Sequence, residues 1–151
     1  MTAGGGNGIT RGIPFDLNMA SGGLYLGAPA SITETSTPIA GVAANDIVAA
    51  IAHVNNNADE YTLLLDNDTT VSTEQTLDVA NVKLTIIGIG SERKITLTAT
   101  GRMFTVGDYP KTGIEMTIGN NITLKPTGQA LLVSLTYLVV TLICLLSLAI
   151  G

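Results

Sequence analysis

Asp66 and Asp68 stand either side of Asn67, so two carboxylates sit one residue apart. Oxygen ligands at alternate positions are how a calcium loop begins. That loop needs glycine at its sixth position and a closing glutamate; the sixth residue here is Val71 and the glutamate is missing. Asp-Asn-Asp is also what a turn uses for local backbone hydrogen bonds, and a turn is the reading adopted. Glycan hydrolysis needs two carboxyl groups facing one cleft. Glu115 stands alone on its strand and supplies one. The single histidine, His53, has no second His or Cys spaced to join it at a metal. It reads as a surface side chain near the negative end of a helix dipole, and without another histidine no Ser/His/Asp set is credible.

Other motifs are equally incomplete. Gly88-Ile89-Gly90 follows a strand but opens no helix, so it presents no row of amides to a pyrophosphate. Gly4-Gly5-Gly6 has no Lys-Ser/Thr after it and is not a P-loop. Asn67-Asp68-Thr69 and Asn121-Ile122-Thr123 match the glycosylation sequon, as chance allows in a chain rich in Asn and Thr. Cys144 is the one cysteine and lies in an apolar run; it reads as a small buried hydrophobe. The sequence therefore gives no catalytic, cofactor-binding or metal-ligating residue. The expectation is a protein that is not an enzyme and carries no cofactor.

The elements that must position these residues are short. Thr and β-branched residues recur between glycines, which points to short strands and tight turns. Asn45 to Val54 reads as one helix, capped by Asn45 or Asp46. Ile47, Val48, Ile51 and Val54 fall on its buried face. Asn55-Asn56-Asn57 ends it, because Asn tolerates a left-handed stop. Strands then follow at Tyr61–Leu65, Leu77–Val79, Val82–Ile86, Ile95–Thr98, Phe104–Val106, Ile114–Ile118 and Ile122–Leu124. No helices separate them, so this is not a βαβ chain.

Part of that series repeats. Ile95-Thr96-Leu97 returns as Ile122-Thr123-Leu124, 27 positions on. Phe104-Thr105-Val106, after Thr100-Gly101, returns at the same offset as Leu131-Leu132-Val133, after Thr127-Gly128. A fixed period of short strands means stacked turns, each burying its inner face on the next. The outward threonines Thr85, Thr96, Thr98, Thr117 and Thr123 read as ordinary strand surface, with a flat binding face as the alternative. The charge of −5 is uneven: residues 1–80 hold nine acids and one base, Arg11, and residues 81–151 hold three acids and six bases. No dense Lys/Arg cluster with stacking aromatics exists, so nucleic acid is not an expected partner.

The runs Tyr61-Thr62-Leu63, Val82 to Leu97, Met103 to Gly107 and Met116 to Leu124 resemble the opening coils of bacterial surface proteins. Those are built on a right-handed parallel β-helix, the pectin-lyase-like fold. The resemblance covers roughly residues 43–133. It implies many further coils and an exported location, whereas this chain shows two or three coils and no secretory signal as written. The expected fold is mainly β: a right-handed parallel β-helix fragment with an N-terminal α-helical cap and a hydrophobic C-terminal tail. Its parts are a flexible or weakly stranded segment at 1–42, helix plus coils at 43–134 and a tail at 135–151.

The expected function is a non-catalytic structural or adhesin-like fragment of a bacterial surface β-helix protein, at the cell surface or secreted as part of a longer exported protein. Its partners would be neighbouring coils, another surface protein or a glycan. The alternatives are a truncated piece of a polysaccharide lyase or hydrolase, and a small membrane-anchored protein. The last arises because Ala130–Ile150 is apolar enough to approach the roughly 20 residues of a membrane helix. The period instead makes Ala130–Ser134 a strand, and both readings of the tail stand.

Overall fold

A computed structural model describes residues 15–107, 110–127, 133–135 and 139–142. Chain order begins with a one-turn 3-10 helix at Leu17–Met19, strand β1 (Gly23–Leu26) and a second 3-10 turn at Pro29–Ser31. Helix α1 (Ile47–Asn56) follows, then β2 (Glu60–Leu65), β3 (Thr69–Val71) and β4 (Gln75–Leu77). The next three strands are β5 (Lys83–Gly88), β6 (Arg93–Leu97) and β7 (Phe104–Val106). The last are β8 (Glu115–Ile118), β9 (Ile122–Lys125), β10 (Val133–Leu135) and β11 (Val139–Leu142).

The strands form three sheets. One is five-stranded in the order β1-β2-β5-β8-β11; the others run β10-β7-β4 and β3-β6-β9. From β2 onward each pair is parallel and joins strands three apart in the chain. β1 pairs antiparallel with β2, Leu24 opposite Leu63 and Tyr25 opposite Thr62. The expected fold class, a right-handed parallel β-helix fragment with a helical cap and hydrophobic tail, is corrected by this arrangement. The described residues make one mixed sheet and two small parallel sheets with one α-helix. The mixing comes from Gly23–Leu26, a stretch that reads from sequence as a weak strand. Once paired, it hydrogen-bonds the exposed side of β2 and buries Leu24 and Tyr25 on opposite faces.

Pairing is parallel where the repeat suggested, β6 on β9 and β7 on β10, and β5 pairs parallel with β8 as well. No described hairpin joins β6 to β7. The register differs from the sequence echo. Ile95 lies opposite Leu124 rather than Ile122, and Phe104 lies opposite Val133 rather than Leu131. The slip is two residues. Side chains alternate with period two, so the same faces stay inward.

Inward positions build the core. Leu63, Ile86 and Ile118 align across the first sheet, as do Tyr61, Leu84 and Met116. Ile95, Leu97, Phe104 and Val106 reach the same cluster from the other sheets. Each such side chain contributes about 1.5–3 kcal/mol on burial. Ile122 is buried as expected, while Leu124 is only half-buried.

Helix α1 packs on β3 and β4 and adds Ile47, Ala50, Ile51 and Val54 to that core. Val48, expected inward, is 48% exposed, and Ala50 takes its place. Asp46 is the N-cap, accepting from Ala49 N–H at 2.9 Å. The expected left-handed stop is replaced by a different device: Asn57 has φ −138°. The side-chain amides of Asn56 and Asn57 donate to the Ala52 and His53 carbonyls instead.

Of the tail, Val133–Leu135 and Val139–Leu142 are strands on β7 and β8. The remaining tail residues, with Cys144, lie outside the described residues, as do positions 1–14 of the segment expected to be flexible or weakly stranded, Gly4-Gly5-Gly6 and Arg11 among them. Among the described residues no helix is long and apolar enough to cross a membrane.

One close approach tests this stacking. A Cβ on Gly88 would lie 2.1 Å from the Asn121 carbonyl oxygen, where Gly88 N–H already donates to Asn120. Gly88→Ala should lower stability by about 1–3 kcal/mol in urea unfolding. Ser72→Ala, at an exposed turn, should change it by less than about 0.5 kcal/mol.

Candidate functional site

The turn that carries Asp66 and Asp68 is tied to the segment before α1. Asn45, at φ 63°, accepts from Asp66 N–H at 3.0 Å and Asn67 N–H at 3.1 Å through its side-chain oxygen. Its Nδ2 donates back to Asp66 Oδ1 at 2.7 Å, and its carbonyl accepts from the Thr69 hydroxyl. Gly22 N–H and Asn67 Nδ2 complete the Asp66 carboxylate. Donated hydrogen bonds, the one from Asn45 foremost, hold the Asp66 carboxyl below the usual carboxylate range, while partial burial opposes them. A Cβ at position 22 would meet the Asp66 carboxyl at 2.6 Å, so a substitution there would displace that carboxyl.

Asp68 faces elsewhere and accepts from Lys94 N–H at 2.9 Å. The two acids are therefore spent on different, distant segments, whereas the turn reading expects local backbone hydrogen bonds. Glu115 pairs with Lys83 at 3.7 Å across β5 and β8. Among the described residues no three His, Cys, Asp or Glu side chains come together as a metal site. His53 lies in the last turn of α1, edge-on to Tyr61 at a 5.7 Å ring separation. Each amide of Gly88-Ile89-Gly90 is taken, by Asn120 O, Leu65 O and Asn18 Oδ1. The sequon asparagines are engaged too: Asn67 on Asp66, and Asn121, at φ 57°, on the Gly88 carbonyl.

The outward threonines do not make one face. Thr85 and Thr117 are neighbours in the first sheet, in register with Thr62. Thr96 and Thr123 lie in another sheet, opposite Lys125 and Lys94. Thr62 and Thr117 are buried, Thr62 donating to the Gly27 carbonyl.

A concave site lies on the outer side of the first sheet. Residues 15–39, expected as a loose segment, fold back across β1 and β2 and build a second apolar cluster of Tyr25, Ile32, Leu64 and Ile89. Between the wall at 15–21 and the turn at 33–38 runs a groove of about 670 Å³. Tyr25 forms part of its lining, and its hydroxyl donates to the Ser21 carbonyl at 2.8 Å. Burial raises the phenol's pKa, and Asp66 adds to that, so it stays a proton donor. Opposite, the Ser36 hydroxyl accepts from Thr33 N–H.

No motif marks this groove in the sequence. Its walls come from two segments brought together only by folding. Of the two cap candidates in the sequence, Asn45 and Asp46, Asp46 is the N-cap, and the left-handed backbone of Asn45 makes it the hub of the Asp66 turn.

Asp66→Ala should lower stability by about 1–3 kcal/mol, because it strands the Asn45 amide and the Gly22 N–H. The pH dependence has a definite sign. A carboxylate whose pKa is lowered on folding stabilises above the unfolded-state value, and that contribution fades as pH falls through the folded-state value. Urea midpoints of the parent chain should therefore drop in acid more steeply than those of Asp66→Asn.

Comparison with protein-family models, with curated proteins and with solved structures finds no match to this chain.

Proposed function

We propose that this chain is a non-catalytic, adhesin-like structural part of a bacterial surface protein. The observation that carries the reading is how the fold uses its acids. Asp66 is held by Gly22, Asn45 and Asn67, and Asp68 by the Lys94 backbone. Glu74 lies against Arg102 and the Thr105 hydroxyl, Asp78 against Lys111, Glu92 against the Thr123 hydroxyl, and Glu115 against Lys83. Apart from Asn67 on Asp66, each of these contacts joins one strand or turn to another distant in the chain. None of these six acids is paired with a second carboxyl group at a common cleft, which acid–base cleavage of a glycan requires. Of the two acids that do line one groove, Asp16 caps a 3-10 turn by accepting from Asn18 N–H, and Glu34 lies exposed on the opposite wall. Side chains used this way fix the relation of successive turns and present a stable polar surface. Such a surface suits contact with another surface protein or with a glycan, and the resemblance of residues 43–133 to exported surface proteins supports the same assignment.

Purified protein incubated with pectin and other polysaccharides should release no new reducing or unsaturated ends. Release that is abolished by changing Asp16, Glu34, Asp66, Asp68 or Glu115 to the matching amide would overturn the proposal.

A further inference from the structure

The groove between residues 15–21 and 33–38 has the size of a small-molecule site, for which about 300–1,000 Å³ is usual. Its surfaces differ in kind. Phe15, Met19 and Ala20 give one side an apolar wall, and Met19 is left 77% exposed. Exposed apolar surface in a concavity marks a contact site more often than surface scattered singly. Thr33, Ser36 and Thr37 give the other side hydroxyl groups; those of Thr33 and Ser36 already contact each other and the Thr33 N–H, and as both donors and acceptors they keep capacity for a further bond. Asp16 and Glu34 also line the groove, one from each wall; Asp16 Oδ1 accepts from the Asn18 backbone and side-chain amides, and among the described residues no Lys, Arg or His lines the groove.

This combination selects a ligand class. A pyranose ring has an apolar C–H face and a polar edge of hydroxyls. It fits a groove with one apolar wall and one hydroxylated wall. Two carboxylates with no base among the described lining residues favour a cationic group and repel an acidic one. A free amino sugar satisfies all three conditions; a uronic acid fails the last.

We propose that this groove binds an amino-sugar residue of a glycan. The ring packs on Phe15 and Met19, the hydroxyls meet Thr33 and Ser36, and the ammonium lies between Asp16 and Glu34. The assignment rests on the adhesin-like reading above and supplies its ligand class.

The test is calorimetric titration of the full chain with glucosamine trisaccharide, with galacturonate trisaccharide beside it. Saturable binding of the glucosamine oligomer is expected, about tenfold or more tighter than the galacturonate oligomer, and weakened by salt. Met19→Ala and Glu34→Gln, both at exposed positions, should each weaken it about fivefold or more while leaving the urea midpoint unchanged. Absence of saturable binding at millimolar oligomer, or equal binding of the galacturonate oligomer, overturns the assignment. Binding that both variants leave intact also overturns the groove, while leaving the adhesin-like reading in place. Cleavage of the oligomer would overturn the non-catalytic reading instead, and the variants would still report whether the groove holds it.

Discussion

A strand of three to six residues cannot stand alone, and from Glu60 onward every described strand is that short. Its backbone donors and acceptors need partners on both sides, and its one apolar face needs a cover. Parallel pairing with the strand three ahead meets both needs at once. Leu63 lies over Ile86 and Ile86 over Ile118, so a single register extends both the hydrogen-bond ladder and the core. The ends of the stack are where this fails. At the N-terminal end, β1 supplies an antiparallel partner to β2, and α1 lies on β3 and β4. Asn55 seals the second contact, donating to the Thr76 carbonyl and accepting from Asp78 N–H.

The corners between strands carry the remaining strain. Asn45, Asn81 and Asn121 all have φ near +60°; Asn81 and Asn121 turn the chain just before β5 and β9, and Asn45 turns it just before α1. Asparagine tolerates this conformation because its side chain can bond the local backbone. Asn121 shows why the corner must be tight: its carbonyl accepts from Arg93 N–H and sits against Gly88, where no side chain fits. Turn and neighbouring strand are thus one unit, and a change in either is felt by the other.

Local physics explains what could be read from the residues and what could not. The helix announces itself through its apolar face and Asp46, and the strands through alternation, as in Lys83–Gly88. The parallel partners of β6 and β7 follow from the echo, but the echo misplaces the register by two. Sequence similarity cannot separate two registers that bury the same face. The strand at Gly23–Leu26 was weak to read because half its signal is tertiary: Leu24 faces the core, and Tyr25 faces a cluster built from residues 15–39 and the far side of the first sheet. The overall class was misread for the same reason, since nothing in the residues 23–26 says that they will pair backwards on β2. The groove is the extreme case. Phe15 and Thr33 have no pattern linking them, and only the fold brings their segments face to face.

The uneven charge of the chain also finds its place in the stack. Nine of the acids lie before residue 81 and six of the seven bases after it. Folding sets the acids of early turns against groups of the turns that follow: Glu74 against Arg102, Asp78 against Lys111, Asp68 against the Lys94 backbone. The asymmetry along the chain becomes complementarity between neighbouring turns. Lys111 and Asp78 are 42% and 31% exposed, and such surface pairs contribute only about 0–1 kcal/mol. Their effect on stability is therefore small beside that of the buried rows. Their effect on register is larger, because a slipped strand keeps its apolar face after two residues but loses its charge partners. Side chains that add little to the depth of the folded state can still decide which of two equally buried registers is populated.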